Sequence, residues 1–200
     1  MAPRFTSSFK KHELKQFLPT ALLCLLQMCG AMAQSGLLEN CTSACHGSLG
    51  ENIYPNGDFG FGLPNVVPIN PGLAPGYTYQ TNPPPNDGLY TIANSTAPWG
   101  WFAANVWINI EDNGPEPNGY MMVVNASYPP GLFFQQSVAV CENTLYEFSV
   151  DVINIFKQQF QGSIKPNLSF MIDNVALCET GDIPIDEQWH TGHTQRVPSE

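Results

Sequence analysis

Positive charge is scarce in this chain, and most of it is crowded at one end. Arg4, Lys10, Lys11 and Lys15 stand in the first fifteen residues, which leaves only Lys157, Lys165 and Arg196 for everything downstream. Long hydrophobic runs are missing too. The segment from Phe17 to Met28 is apolar apart from Pro19, Thr20 and Gln27, shorter than the roughly 20 residues a membrane span needs and broken by its proline. It ends on Ala31-Met32-Ala33 before Gln34. A basic start, a short apolar stretch and a small-x-small site describe a cleavable secretory leader rather than an anchor, so residues 1–33 are expected to be a signal peptide and the product secreted or held at the cell surface, with no membrane insertion after the cut.

Removing such a leader leaves three basic side chains against sixteen acidic ones, a formal balance of −13. A surface of that sign repels phosphate, which excludes nucleic acid and disfavours anionic membranes as partners. Catalytic signatures are equally sparse. There is no Gly-x-Ser-x-Gly elbow and no His-Glu-x-x-His pair, and past the leader the histidines are His46, His190 and His193. A glycosidase requires two carboxylates held about 5 to 9.5 Å apart. Glu111-Asp112 sits in a Gly/Pro/Asn loop and Asp182 with Asp186 lies near a polar tail, so these acids read as solvated and the chain as a non-enzyme.

Six cysteines occur, two of which, Cys24 and Cys29, would leave with the leader. Cys41, Cys45, Cys141 and Cys178 would then meet an oxidising compartment, where four cysteines allow three pairings. Closure of a small loop by Cys41 and Cys45 would put Cys141 with Cys178; crossed pairing and a partner in another chain stay open. Cys41-x-x-x-Cys45-His46 is one residue too long for haem attachment and underfills a zinc site. His190-x-x-His193 is equally thin as a metal pair. The sequons at Asn40, Asn94, Asn125 and Asn167 would be used only in a eukaryotic secretory pathway.

What the chain has in quantity is punctuation and aromatic residues. Pro55-Asn56-Gly57, Asn70-Pro71-Gly72, Pro75-Gly76 and the run Asn82-Pro83-Pro84-Pro85-Asn86-Asp87-Gly88 mark turns and long loops. Segments 88–94, 101–109, 120–125, 133–140, 144–156 and 167–177 are rich in aromatic and β-branched residues and are expected as strands. In the fifth, Tyr146, Phe148, Val150 and Val152 alternate with Glu147, Ser149 and Asp151. In the sixth, Leu168, Phe170 and Ile172 alternate with Ser169, Met171 and Asp173. This period of two, with no sustained helical stripe, predicts an all-β antiparallel sandwich of the jelly-roll kind.

The segments Glu51 to Phe59, Gly88 to Ile92, Gly119 to Asn125, and Gln136 through Cys141-Glu142-Asn143-Thr144 into the strand from Tyr146 resemble the galactose-binding-like jelly-roll modules related to carbohydrate-binding modules. The resemblance covers roughly 52–175. With the Cys41/Cys45 head and the proline-rich stretch 77–88, the chain looks like the N-terminal modules of large surface or secreted proteins of gliding bacteria. The expected division is a signal peptide at 1–33, a cysteine-containing segment at 34–50, the galactose-binding-like module that the resemblance implies at 51–189 and a polar tail at 190–200. Such a module usually continues past a tryptophan at the place of Trp189 with further strands. The expectation is therefore an incomplete sandwich, the product of a truncated or frame-shifted gene, with an exposed edge.

The same resemblance implies a polysaccharide or glycoconjugate as partner, or other surface proteins in an adhesive or spacer role. Sugar rings stack on aromatic faces flanked by amides and carboxylates. Trp99, Trp101, Phe102 and Trp107, with Tyr77, Tyr79 and Tyr90 nearby, suit that need, and Trp99, Trp101, Trp107, Tyr90 and Asn125 are the expected ligand residues. Core packing is the competing assignment, since Trp101 and Trp107 cannot share a face of a regular strand. Asp58 resembles the position where such modules place a structural calcium, and capping of its own turn is the alternative.

Overall fold

The computed structural model describes residues 2–4, 10–12, 57–139, 141 and 145–196. Its regular elements are β1 (Ala2–Arg4), β2 (Lys10–His12), β3 (Thr78–Tyr79), β4 (Leu89–Ala93), a short helix α1 (Trp101–Val106), β5 (Met121–Asn125), β6 (Leu145–Ile153), β7 (Asn167–Ile172), β8 (Val175–Asp182) and β9 (His190–Arg196), with one 3₁₀ turn at Gln158–Phe160. The chain is all-β in character. The head with Cys41 and Cys45 lies outside the described residues.

Three sheets form. In the first, β6 is central, with β9 antiparallel along one edge and β1 and β2 antiparallel along the other. The second has the order β3-β4-β5, in which β3 is parallel to β4 and β4 antiparallel to β5. The third is the β7–β8 hairpin.

The continuous apolar run Met121-Met122-Val123-Val124 explains why β5 is the structural centre. A strand with apolar side chains on both faces is stable only with a packed layer on each. Met121 and Val123 enter a cluster with Ala93, Trp99, Ala103, Trp107, Ile153 and Ile155. Met122 and Val124, with Tyr120, enter a second cluster with Ala74, Tyr90 and Ile92. A third joins Val150 and Val152 of β6 to Leu168 and Phe170 of β7 and to Ile183, with Phe148 and Phe170 in edge contact at 5.4 Å between ring centres. Phe59, Phe133 and Phe134 pack against the second and third clusters at once and join these two into one hydrophobic interior.

The alternation expected of β7 is present, with Leu168 and Phe170 buried and Ser169 and Met171 exposed. β6 differs from expectation. Glu147 and Ser149 are buried along with Tyr146, Val150 and Val152. Val150 and Val152 on one face pack in the third cluster and Ile153 on the other packs in the first, so neither face stands open as in a half-buried strand.

Four expectations are corrected. Residues 101–109 begin as helix, because Trp99, Ala103, Val106 and Trp107 recur at helical spacing and turn one stripe inward. Residues 133–139 run without a ladder; Phe133 and Phe134 still reach the core. Segment 167–177 folds back on itself at Asp173-Asn174, both in the left-handed region at φ 51° and 63°. Two positive φ values make the mirror-image turn that matches strand twist, and Asp and Asn tolerate it better than other non-glycine residues. Finally, His190–Arg196, expected as an unpaired tail, forms seven consecutive register pairs with β6. A ladder is made by main-chain groups, so apolar alternation was not required for it.

The expected Cys141–Cys178 bridge is likewise corrected. Cys141 is an exposed free thiol, whereas Cys178 is disulfide-bonded, so of the pairings left open by the sequence Cys141 with Cys178 is not the one formed.

Two tests follow from this packing. Asn174→Val should cost about 1–2 kcal/mol through its positive φ, while Asn174→Gly should leave the urea midpoint unchanged or raised. Burial also pushes the phenols of Tyr77, Tyr79, Tyr90 and Tyr120 above the ordinary 10.0. The folded chain then retains phenol protons that the unfolded chain loses. Stability should be complete below about pH 10 and fall as pH rises from there through the folded-state values. Urea midpoints measured between about pH 9 and 11 should decline, and Tyr79→Phe should soften the decline.

Candidate functional site

The proline run 83–85 cannot donate main-chain hydrogen bonds, yet its carbonyls still need partners. Gln80 supplies them. Its Nε2 donates to the carbonyls of Pro84, at 2.9 Å, and of Asn82, while its Oε1 accepts the Asn86 N–H at 3.1 Å. Asn125, at the end of β5, donates from Nδ2 to Pro85 O at 3.0 Å, and its own carbonyl accepts the Gly88 N–H at 2.8 Å. The Pro83–Pro84 peptide is cis. The loop between β3 and β4 is thus pinned at both ends to the sheet.

Facing this loop stands α1. Its last turn is held from outside: Lys157 donates from Nζ to Ala104 O at 2.5 Å and from its main-chain N–H to Val106 O at 3.0 Å. Cations and donors at a helix C-terminus satisfy carbonyls that have no partner within the helix. Ala103 faces the interior. Trp101, 81 % exposed, and Phe102, 50 % exposed, face outward.

Loop and helix enclose a cleft of about 650 Å³ lined by Gln80, Asn82, the three prolines, Asn86, Asp87, Phe102 and Asn125. Its walls combine an aromatic ring, proline rings, carboxamides and one carboxylate. Apolar faces together with oriented amides suit a neutral, hydroxyl-rich ligand.

The expected ligand residues divide between cleft and core. Asn125 lines the cleft, and Trp101 is exposed on the helix that carries Phe102. Trp99 and Trp107 are 4 % and 3 % exposed, in edge contact with each other at 6.1 Å, and belong to the core. Tyr90 is 1 % exposed and hydrogen-bonds through its hydroxyl to Asn70 Oδ1 at 2.5 Å. These three cannot offer a ring face to a ligand, and their assignment is corrected accordingly. Gln80, Asn86 and Asp87 were missed because the proline stretch reads only as a turn. The signal available was its unusual density of carboxamides beside residues that lack donors.

Asp58 accepts the Gly60 N–H at 3.0 Å, which is the turn-capping arrangement rather than a calcium cage. A smaller concavity of about 160 Å³ gathers Glu111, Asp112 and Glu116 with Asn94, Ser95 and Asn118. Among the described residues no group of three or more His, Cys, Asp or Glu is arranged to hold a metal ion. His190 Nε2 lies 3.0 Å from Asp186 Oδ2, so this histidine has a carboxylate partner. Among the described residues no helix is long and apolar enough to cross a membrane.

A carboxamide network fixes the helix entry behind the cleft. Asn65 Oδ1 accepts the Trp99 indole N–H at 2.9 Å, while its Nδ2 donates to Asn94 Oδ1 at 3.1 Å and Ser95 O at 2.7 Å. Asn94 in turn donates to Gly62 O at 2.9 Å. Replacing Asn65 by Ala strands these buried groups and should cost about 1–3 kcal/mol. Denaturant midpoints read by tryptophan emission check this.

No family model, no curated protein and no solved structure matches this chain.

Proposed function

We propose that the chain is an exported, non-catalytic carbohydrate-binding module that takes a neutral saccharide in the cleft between the proline loop and α1. The observation that carries this reading is the exposure of Trp101 and Phe102 beside a cleft walled by Gln80, Asn86, Asp87 and Asn125. An aromatic platform stacks on the C–H face of a pyranose, and Asn86, Asp87 and Asn125 offer polar groups to its hydroxyls, while Gln80 serves to hold the loop. Of the residues lining the cleft, Asp87 is the carboxylate, whereas glycoside hydrolysis uses two. The finer fold assignment belongs to the same proposal. The sheets that contain β5 and β6, with the β7–β8 hairpin, are read as the faces of a jelly-roll sandwich, in keeping with the galactose-binding-like strand segments. The leader at 1–33 supports export, and the acidic balance of the rest disfavours nucleic acid.

A second reading, a structural or adhesive spacer at a cell surface, draws on the burial of Trp99, Trp107 and Tyr90. Four variants assayed on a glycan array and by thermal unfolding separate the two. Trp101→Ala, Phe102→Ala and Asp87→Asn should each weaken glycan retention about tenfold or more, equivalent to roughly 1.4 kcal/mol, with Trp101→Ala leaving the melting temperature unchanged. Trp107→Ala should destabilise by about 3–5 kcal/mol. A folded chain that retains no glycan, or retains it equally after Trp101→Ala, Phe102→Ala and Asp87→Asn, defeats the carbohydrate reading and leaves the spacer.

A further inference from the structure

The edge of β6 that lies opposite β9 has an unusual occupant. β9 runs along one side of the strand from Tyr146 to Val152. The other side is covered in two pieces, β2 against residues 145–147 and β1 against residues 151–153. Both pieces come from the basic N-terminal segment. Lys10 stands at the register position opposite Glu147, and Arg4 at the position opposite Asp151. Glu147 is 6 % exposed. Asp151 accepts from Thr191 Oγ1 of β9 at 2.5 Å and from Asn113 Nδ2 at 3.5 Å.

We infer that this edge of β6 is a strand-acceptor surface for a basic extended polypeptide, which pairs antiparallel with its cations opposite Glu147 and Asp151. Main-chain ladder groups supply affinity, and the two carboxylates supply selectivity. Glu147 and Asp151 are four residues apart on one face of the strand. A continuous partner therefore needs Lys or Arg four residues apart, because a one-residue slip turns its cations to the opposite face. The N-terminal segment carries Arg4 and Lys10 six apart and reaches both positions in two short strands. In the uncut chain residues 2–4 and 10–12 pair along the edge. If the leader is cut after Ala33, the edge is open to a partner of the same chemistry. Opposite charge is the basis for this occupant: the chain beyond residue 33 is strongly acidic, so a second copy brings like charge to the same strand.

The test uses the full 200-residue chain, unaltered and as the Arg4→Glu/Lys10→Glu form. Hydrogen exchange at residues 145–147 and 151–153 should accelerate at least tenfold in the double variant, with β4–β5 and β7–β8 unchanged as the control for folding. A synthetic twelve-residue peptide with Lys and Arg four positions apart should restore protection in that variant. It should bind at least tenfold more tightly than a peptide of the same composition with the cations three apart, and added salt should weaken it. Glu147→Gln with Asp151→Asn should abolish the difference between the peptides; where that pair of changes prevents folding, Asp151→Asn alone should halve or further reduce the preference. Unchanged exchange in the double variant, equal binding of both peptides, or recovery of protection through dimer formation alone would each overturn the proposal.

Discussion

Burial of β5 on both faces is the constraint on which the other elements depend. The four residues Met121 to Val124, whose side chains carry no nitrogen or oxygen, must be covered on both sides. One cover is the cluster of Trp99, Ala103, Trp107 and Ile153, and the other is Tyr90, Ile92 and Ala74. The first cover draws α1 and the end of β6 onto one side, and the second draws the loops around residue 74 onto the other. At roughly 1.5–3 kcal/mol for each fully buried large aliphatic side chain, the four residues from Met121 to Val124 contribute more than any polar contact in the molecule. Hydrogen bonds then select among the packings that this burial allows.

That selection is made largely by carboxamides. The loops from 57 to 88 are rich in proline and glycine and cannot satisfy their own carbonyls by regular ladders. Gln80, Asn65, Asn94 and Asn125 act as substitutes for missing main-chain partners, and Thr96 does the same by accepting the Ile110 N–H and donating to Ile108 O, both at 2.9 Å. The candidate cleft is a consequence of this arrangement. A proline loop held rigid at both ends cannot collapse onto α1, so the space between them persists and the rings of Trp101 and Phe102 stay outside the core.

Legibility in the sequence followed the physics of each segment. β4, β5, β6 and β7 declared themselves through short apolar runs or a period of two, because their burial is set by neighbouring residues on the same strand. α1 was hidden: six residues are too few for a periodic stripe to stand out, and its aromatic residues favour a strand assignment. β9 was hidden for the opposite reason, since its polar side chains carry no alternation and only a partner strand makes it one. In the candidate site, Trp101, Phe102 and Asn125 were legible by residue type. Trp99, Trp107 and Tyr90 had the right chemistry in the wrong place, for aromatic residues serve a core and a binding face equally well.

The sequence by itself determined the all-β character, the strongest strands, the loop-rich segment before residue 90 and the acidic balance beyond residue 33, because each depends on composition or on neighbours a few residues away. Only the tertiary structure decided which aromatic residues are exposed, that Cys141 is free while Cys178 is bonded, that residues 190–196 pair with β6, and that Asp87 and Phe102 meet across one cleft. All of these turn on contacts between residues far apart in the chain, whose geometry is set when the two faces of β5 are covered and not before.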